Sequence, residues 1–133
     1  MCILLNKLKQ NQKTGYKLAI KDGNQYYSPA TGTLIKIGVV KPVNKIDKSH
    51  GNTWLNGLDK SSAFYNNEMV GRTSIFINKE DAIKIINGAI LKGLVLLKCV
   101  ISTDLMDGYV TAGWAKYLTI AGRNIKSFEE IKI

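Results

Sequence analysis

The chain has 133 residues, of which 45% are hydrophobic and two are proline. This length and composition predict a single folded domain over residues 1–133 and exclude a disordered tail. It carries 19 Lys and Arg against 10 Asp and Glu, a formal charge of +9, and residues 1–60 hold ten lysines against three acidic residues. Only Arg72 and Arg123 are arginines. Because Lys lacks the planar fork that reads base edges, sequence-specific duplex recognition is disfavoured, and contact with a phosphate backbone or an acidic protein surface is favoured.

The first clear element is a strand at residues 15–21, where apolar and polar side chains alternate. Alternation places successive side chains on opposite faces, so this strand is expected to be half-buried. Its predicted core face carries Tyr16, Leu18 and Ile20, and its predicted open face carries Lys17, Ala19 and Lys21.

An Asp-Gly pair at residues 22–23 predicts a two-residue hairpin, because both central positions of a type I′ turn need positive φ. In that register Tyr26 lies opposite Ala19 on the open face, and Tyr27 joins the core face. A three-residue loop that includes Asn24 is the alternative, and it would exchange the faces of the two tyrosines.

The middle of the chain predicts a third strand and a long loop. Residues 33–40 carry apolar side chains at alternate positions and predict the strand. Residues 41–53 are polar and without periodicity, which predicts a surface loop of the kind that often carries function. Residues 54–70 fit a short helix poorly, because Gly57 interrupts the apolar pattern.

A strand at residues 71–77 is followed by the principal helix, predicted at residues 78–88. Asn78 is the expected N-cap, and acidic residues occupy the first turn. The apolar face of this helix is predicted to carry Ala82, Ile85, Ile86 and Ala89.

Residues 94–101 are apolar at nearly every position, which is typical of a central strand covered on both faces. Weaker strands are predicted at residues 109–112 and 116–121. Residues 127–130 match a capping box for a short helix, and a strand that extends to Ile133 is the alternative. These elements predict an α+β fold: a mainly antiparallel sheet of about six strands with the 78–88 helix packed on one face.

The two cysteines, Cys2 and Cys99, lie far apart and form no C-x-x-C pair, so two reduced thiols are expected, with Cys99 packed in the core. The apolar run at the start of the chain is too short for a signal peptide, and the longest apolar run, residues 94–97, is too short to span a membrane. The sequence therefore predicts a soluble, cytoplasmic protein.

Catalytic and metal motifs are not evident. His50 could act as an acid or base in the long loop, but a solvated histidine is the simpler interpretation. Asp104 and Asp107 flank a turn and are expected to cap it rather than bind Mg²⁺, so no metal is predicted. The glycines form no phosphate-binding motif, and no cofactor is predicted on this interpretation.

The remaining candidate site is a surface of lysines and exposed aromatics in the N-terminal half. Lysines would neutralise phosphates while Tyr26 stacks a base, and an ordinary solvated sheet face is the alternative. The predicted binding residues are Lys17, Lys21, Tyr26, Lys36, Lys41, Lys45, Lys48 and Trp54.

An ordered series of turns and core positions carries a resemblance across residues 15 to 125. It comprises Gly15-Tyr16-Lys17, Asp22-Gly23, residues 27–32, Gly38, Phe76 and Glu80-Asp81-Ala82 ahead of the 94–101 strand. The series resembles small proteins of phages and mobile elements, some of which are similar to reduced relatives of the ADP-ribosyltransferase fold.

The resemblance implies two functions. Phage proteins of this size commonly act as stoichiometric inhibitors of host defence nucleases. The resemblance therefore implies a non-enzymatic, anti-CRISPR-like inhibitor that binds a nucleic acid or a ribonucleoprotein in the host cytoplasm. The alternative is an ADP-ribosyltransferase-like enzyme with a degenerate NAD site. In that case Ser74 would correspond to part of the family's serine strand, and Glu129 or Glu130 would be the late catalytic glutamate.

Overall fold

The computed structural model describes residues 2–29, 32–41, 70–88, 93–112 and 115–133. These ranges form one helix and nine strands: β1 Cys2–Lys7, β2 Gln12–Asp22, β3 Gln25–Tyr27, β4 Gly38–Val39, β5 Thr73–Phe76, α1 Lys79–Gly88, β6 Leu94–Ser102, β7 Met106–Ala112, β8 Ala115–Gly122 and β9 Asn124–Ile131. The predicted α+β class with a mainly antiparallel sheet is confirmed. The expected count of about six strands is wrong.

All nine strands belong to one antiparallel sheet in the order β1-β7-β8-β5-β2-β6-β9-β4, with β3 paired to β2. The predicted central strand is confirmed as β6, which pairs with β2 on one side and β9 on the other. Two of the extra strands are β1 and β9. The capping-box pattern at residues 127–130 does not start a helix, because this segment forms β9 and pairs with β6. The pairing runs from Leu96↔Ile131 to Ser102↔Asn124.

Strand β2 is covered on both faces, which corrects the expectation of a half-buried strand. Leu18, on one face, is 7% exposed, and Ala19, on the other face, is fully buried. The alternating pattern does form a strand, but a small alanine and the long apolar stem of a lysine can also line a core face.

Two apolar clusters occupy the two faces of the sheet. The inner core lies on the Ala19 face and consists of Ala19, Ile35, Ile75, Leu97, Cys99, Ile101, Leu105, Ile120 and Ile125. The helix core lies on the Leu18 face and consists of Leu18, Ala82 and Leu96, with the half-buried Tyr16, Phe76, Ile83, Ile85, Ile86 and Ile131 around them. The predicted burial of Cys99 is confirmed.

The helix α1 starts directly after Asn78, whose side-chain amide donates to the Asp81 carboxylate at 3.4 Å. The helix therefore matches the predicted bounds to within one residue and packs on one face of the sheet through Ala82. The predicted contact of Ala89 lies outside the described residues.

The β2–β3 hairpin turns one position later than predicted. Its register is Ile20↔Tyr27, Lys21↔Tyr26 and Asp22↔Gln25, which leaves Gly23 and Asn24 as the two turn residues. Gly23 has φ 62°, the value required at the first central position of a type II′ turn. Moving the turn by one position shifts the pairing of the two strands by two residues, so that Tyr26 lies opposite Lys21 instead of Ala19. A shift of two residues leaves Tyr26 on the face predicted for it.

The predicted strand at residues 33–40 is reduced to β4 and one bridge. Leu34 pairs with Tyr27 of β3, while Gly38 and Val39 pair with β9. This segment therefore links the two sides of the sheet and passes over the inner core, into which it places Ile35. Only two residues pair as a strand because the segment crosses from one partner to the other.

Candidate nucleic-acid interface

Lys17, the first residue of the predicted binding surface, is half-buried rather than solvent-facing. It lies on the same face as Ala19, and its ammonium group donates to the carbonyl oxygen of Ser74 at 3.3 Å. The expectation that Lys17 projects into solvent is therefore wrong, because the inner core covers this face of β2.

Lys21 and Tyr26 share the carboxylate of Glu130. The Lys21 ammonium lies 2.9 Å from Oε1 of Glu130, and the Tyr26 hydroxyl donates to the same oxygen at 2.8 Å. These two hydrogen bonds, that of Lys21 first, lower the pKa of Glu130. The bond to Glu130 in turn raises the pKa of Lys21. Both predicted binding residues therefore have a partner inside the protein.

The ring of Tyr26 is also engaged. It is half-buried and meets the ring of Phe128 edge-on, with centroids 5.9 Å apart, and it packs against the inner core. A base-stacking platform needs an open ring face. Tyr26 therefore helps to close one end of the inner core, whereas the sequence predicted that it lies on an open surface.

The other predicted residues divide into two groups. Lys36 and Lys41 are exposed, and within the described ranges neither contacts a carboxylate. Lys45, Lys48 and Trp54 lie outside the described residues, as do His50 and most of the predicted long loop.

The chain's only two arginines converge on one carboxylate, an arrangement that the sequence did not predict. Arg72 donates through Nη2 to Oδ2 of Asp104 at 2.7 Å, and Arg123 donates through Nε to the same oxygen at 2.8 Å. The hydrogen bond from Arg123 is the main reason that the pKa of Asp104 is lowered. The two guanidinium groups differ in exposure: the Arg72 side chain is 1% exposed and that of Arg123 is 39% exposed.

The turn that carries Asp104 has an unusual backbone. Thr103 and Asp104 have φ of 70° and 52°, the left-handed region that non-glycine residues rarely adopt. Hydrogen bonds compensate for this conformation: the Thr103 amide donates to Asn11, the Arg123 amide donates to Thr103, and Nε of Arg72 donates to the Asp104 carbonyl. The position of the carboxylate is thus fixed by three segments of the chain.

More cations surround this turn. The Leu8 amide donates to the Leu105 carbonyl at 2.8 Å, which places the residues flanking Leu8 beside the turn. The Val40 amide donates to the Arg123 carbonyl at 2.8 Å, which places Lys41 close to Arg123 in the chain's fold. The charge of Lys7 contributes to the lowered pKa of Asp104. We name this group of cations the basic end; it consists of Lys7, Lys9, Lys41 and Arg123, which reach the surface, and of Arg72, which is buried.

No family model, curated protein or solved structure matches this chain. The function is therefore to be inferred from the chemistry of the basic end and of the surfaces beside it.

The basic end contains five cationic side chains, and among the described residues the carboxylates beside it are Asp104 and Asp107. Asp107 accepts a hydrogen bond from the Asn6 amide at 2.9 Å, next to Lys7. The excess of positive charge favours anions. Arg123 is best placed to meet one, because Asp104 and the Val70 carbonyl fix its Nε and Nη1 while its Nη2 makes no hydrogen bond to the described residues.

The residues expected for ADP-ribosyl transfer are not brought together. Ser74 lies on β5 and the two glutamates on β9, with β2 and β6 between them, a separation of three strand spacings or about 14 Å. Glu129 and Glu130 also project from opposite faces of β9. Glu130 is held by Lys21 and Tyr26.

Two kinds of feature are absent from the described residues. They contain no group of three or more His, Cys, Asp or Glu side chains arranged to hold a metal ion. They also contain no helix with the length and apolar character needed to cross a membrane.

Proposed function

We propose that the protein is a non-enzymatic binding module that holds the phosphate backbone of a single-stranded nucleic acid, free or within a ribonucleoprotein, on its basic end. The observation that carries this proposal is the convergence of Arg123 and three exposed lysines around the turn whose carboxylate also holds the buried Arg72. Lysine and arginine charges that meet on one surface bind phosphates with little dependence on base sequence.

Arg123 is the proposed central contact. Asp104 and Val70 orient its guanidinium group, and the side chain is 39% exposed. Its remaining N–H groups would therefore bind a phosphate oxygen in the rotamer already present. Three exposed lysines, Lys7, Lys9 and Lys41, would add contacts to further phosphates of the nucleic acid. Lys36 would extend this surface.

The proposed biological setting is that of a phage or mobile-element protein that occupies the nucleic-acid channel of a host RNA-guided defence nuclease in the host cytoplasm. Its support is the sequence resemblance together with the Lys-rich, sequence-tolerant character of the surface. A stoichiometric inhibitor of this kind needs no catalytic residue, only a surface that competes for the channel or for its RNA.

The test measures binding of a fluorescein-labelled 20-nucleotide single-stranded RNA by anisotropy over a series of salt concentrations. The logarithm of the binding constant should fall linearly with the logarithm of the salt concentration, by about 0.7 for each phosphate contact. The double variant Lys7→Gln/Lys41→Gln should reduce this slope by about 1.4, because two contacts are lost. Both side chains are exposed, so the melting temperature should not change.

The matched control is Lys84→Gln/Lys132→Gln, which removes two exposed lysines of α1 and the C-terminal end. It should leave the slope unchanged. Lys21→Gln should also leave it unchanged, since Lys21 is paired with Glu130. An equal effect of the control pair would show that only net charge matters, and absence of RNA binding at low salt would reject the proposal.

A further inference from the structure

The two most exposed large apolar side chains of the described residues lie two positions apart. Ile37 is 65% exposed and Val39 is 74% exposed, and Leu34 of the same segment is 42% exposed. Ile37 and Val39 lie on either side of Gly38, whose φ of 123° bends the chain between them. Both side chains are exposed at this point of the chain, and we name them the apolar strip beside the strand β4.

The strip borders an edge of the sheet to which no described strand is paired. β4 is the last strand in the sheet order and pairs with β9 only. The Val40 amide points toward β9, where it donates to Arg123 at 2.8 Å. Because the main-chain groups of successive residues point to opposite sides, the N–H and C=O of Val39 point away from β9. In the part of the chain that the structure describes, no strand pairs with that side.

We propose that this edge binds an extended, acidic segment of a partner protein, which adds to β4 as a further strand. The main-chain groups of Val39 would supply the pairing, and Ile37 and Val39 would cover alternate apolar side chains of the partner. Exposed Lys36 and Lys41 flank the strip, and neither contacts a carboxylate of the described residues. They select acidic side chains at the remaining positions of the partner segment.

A second copy of the chain is a poorer occupant. Each copy carries a formal charge of +9, so edge-to-edge pairing would bring two strongly basic surfaces together. The edge is also distinct in chemistry from the basic end, since it offers main-chain hydrogen bonds and apolar contacts rather than phosphate contacts. This inference does not depend on the proposed binding of nucleic acid.

The experiment uses a labelled seven-residue peptide of alternating Val and Glu, and a second peptide in which Lys replaces each Glu. The acidic peptide should bind at least about tenfold more tightly, because Lys36 and Lys41 attract one and repel the other. Hydrogen exchange gives the site: the amide of Val39 should gain protection on binding, whereas that of Val40, already bonded to Arg123, should not.

Two variants separate pairing from simple adhesion. Val39→Pro removes the outward N–H without removing the Val40 hydrogen bond, and it should weaken peptide binding about fivefold or more. Val39→Asp should abolish binding of the acidic peptide. The control Leu118→Asp, at a side chain on β8 that is 55% exposed, should leave binding unchanged.

The proposal is overturned by equal binding of the two peptides, by insensitivity to Val39→Pro in a variant of unchanged melting temperature, or by protection at other amides only. A dimer in light scattering that Val39→Asp converts to a monomer would also overturn it, in favour of a second copy. All these readouts are measured with Lys36 and Lys41 unchanged, so absence of RNA binding by the native protein leaves them unaffected and the two proposals fail independently.

Discussion

Asp104 is the residue on which the charges of the basic end depend. It accepts hydrogen bonds from a guanidinium group that is almost fully buried and from one that is exposed. Removal of the carboxylate would leave the charge of Arg72 buried without this partner, and a buried charge that loses its partner is strongly destabilising. Glu130 offers the comparison, because its partner Lys21 is 42% exposed and regains water when the carboxylate is removed.

We therefore predict that Asp104→Asn lowers the midpoint of urea unfolding much more than Glu130→Gln does. The pKa of Asp104 is lowered in the folded protein, chiefly by the hydrogen bond from Arg123. Its contribution to stability is thus complete above the ordinary carboxyl pKa and is lost as the pH falls below about 4. The stability of the native protein should fall more steeply than that of Asp104→Asn between about pH 5 and pH 2.

Urea unfolding followed by tryptophan fluorescence at several pH values measures both effects. Equal midpoints for Asp104→Asn and Glu130→Gln would show that pairing the buried Arg72 with Asp104 does not contribute to the stability of the protein.

At the scale of elements, the sheet depends on a close approach between β2 and β5. Tyr16 pairs with Phe76 in this part of the sheet. The neighbouring Gly15 leaves no space for a side chain: a Cβ there would lie 2.5 Å from the carbonyl oxygen of Phe76 and 2.7 Å from Cδ1 of Ile75. The glycine is thus required by the packing of two strands, although its sequence context suggested only the start of a strand.

We predict that Gly15→Ala lowers the free energy of unfolding by about 1–3 kcal/mol, because the main-chain oxygen of Phe76 cannot move aside without breaking the pairing. Gly88→Ala is the matched control. A Cβ at Gly88, the last residue of α1, meets no atom within 4 Å, so this change should be neutral or stabilising by up to about 1 kcal/mol. Denaturant titrations of both variants check the pair, and equal effects would contradict the close approach.

The strand β6 separates the two apolar clusters of the sheet. Leu96 belongs to the helix core and Leu97 to the inner core, and both are fully buried. The strand also holds β2 and β9 together through registers of nine and seven pairs. The two faces of the sheet are therefore coupled through one strand.

We predict that Leu96→Asp abolishes folding, because an unpaired carboxylate would lie under α1 at the centre of the sheet. Leu118→Asp makes the same change at an exposed position and should leave the circular dichroism spectrum and the thermal transition largely intact. A folded Leu96→Asp variant with an unchanged melting temperature would show that β6 is not central.

The sequence determined the features that short-range patterns encode. The strand at residues 15–21, the helix that starts after Asn78, and the central strand at 94–101 were predicted because apolar periodicity and capping are local properties. The α+β class followed from their order. The same patterns could not give the number of strands, since β1 and β9 acquire their structure from pairing with β7 and β6 rather than from their own propensities.

Tertiary structure alone decided which charged residues are available to a ligand. Lys17, Lys21 and Tyr26 were predicted to be free because alternation shows which side chains share a face, but not what covers that face. The segment that carries Ile35 covers this face of β2 as part of the inner core. The strand β9 contributes Glu130, which pairs with Lys21. Conversely, Arg72, Asp104 and Arg123 lie far apart in the chain, and only the meeting of the turns that carry them creates the basic end. Local sequence encodes periodicity, whereas charge pairing across the sheet depends on long-range register, which no short pattern records.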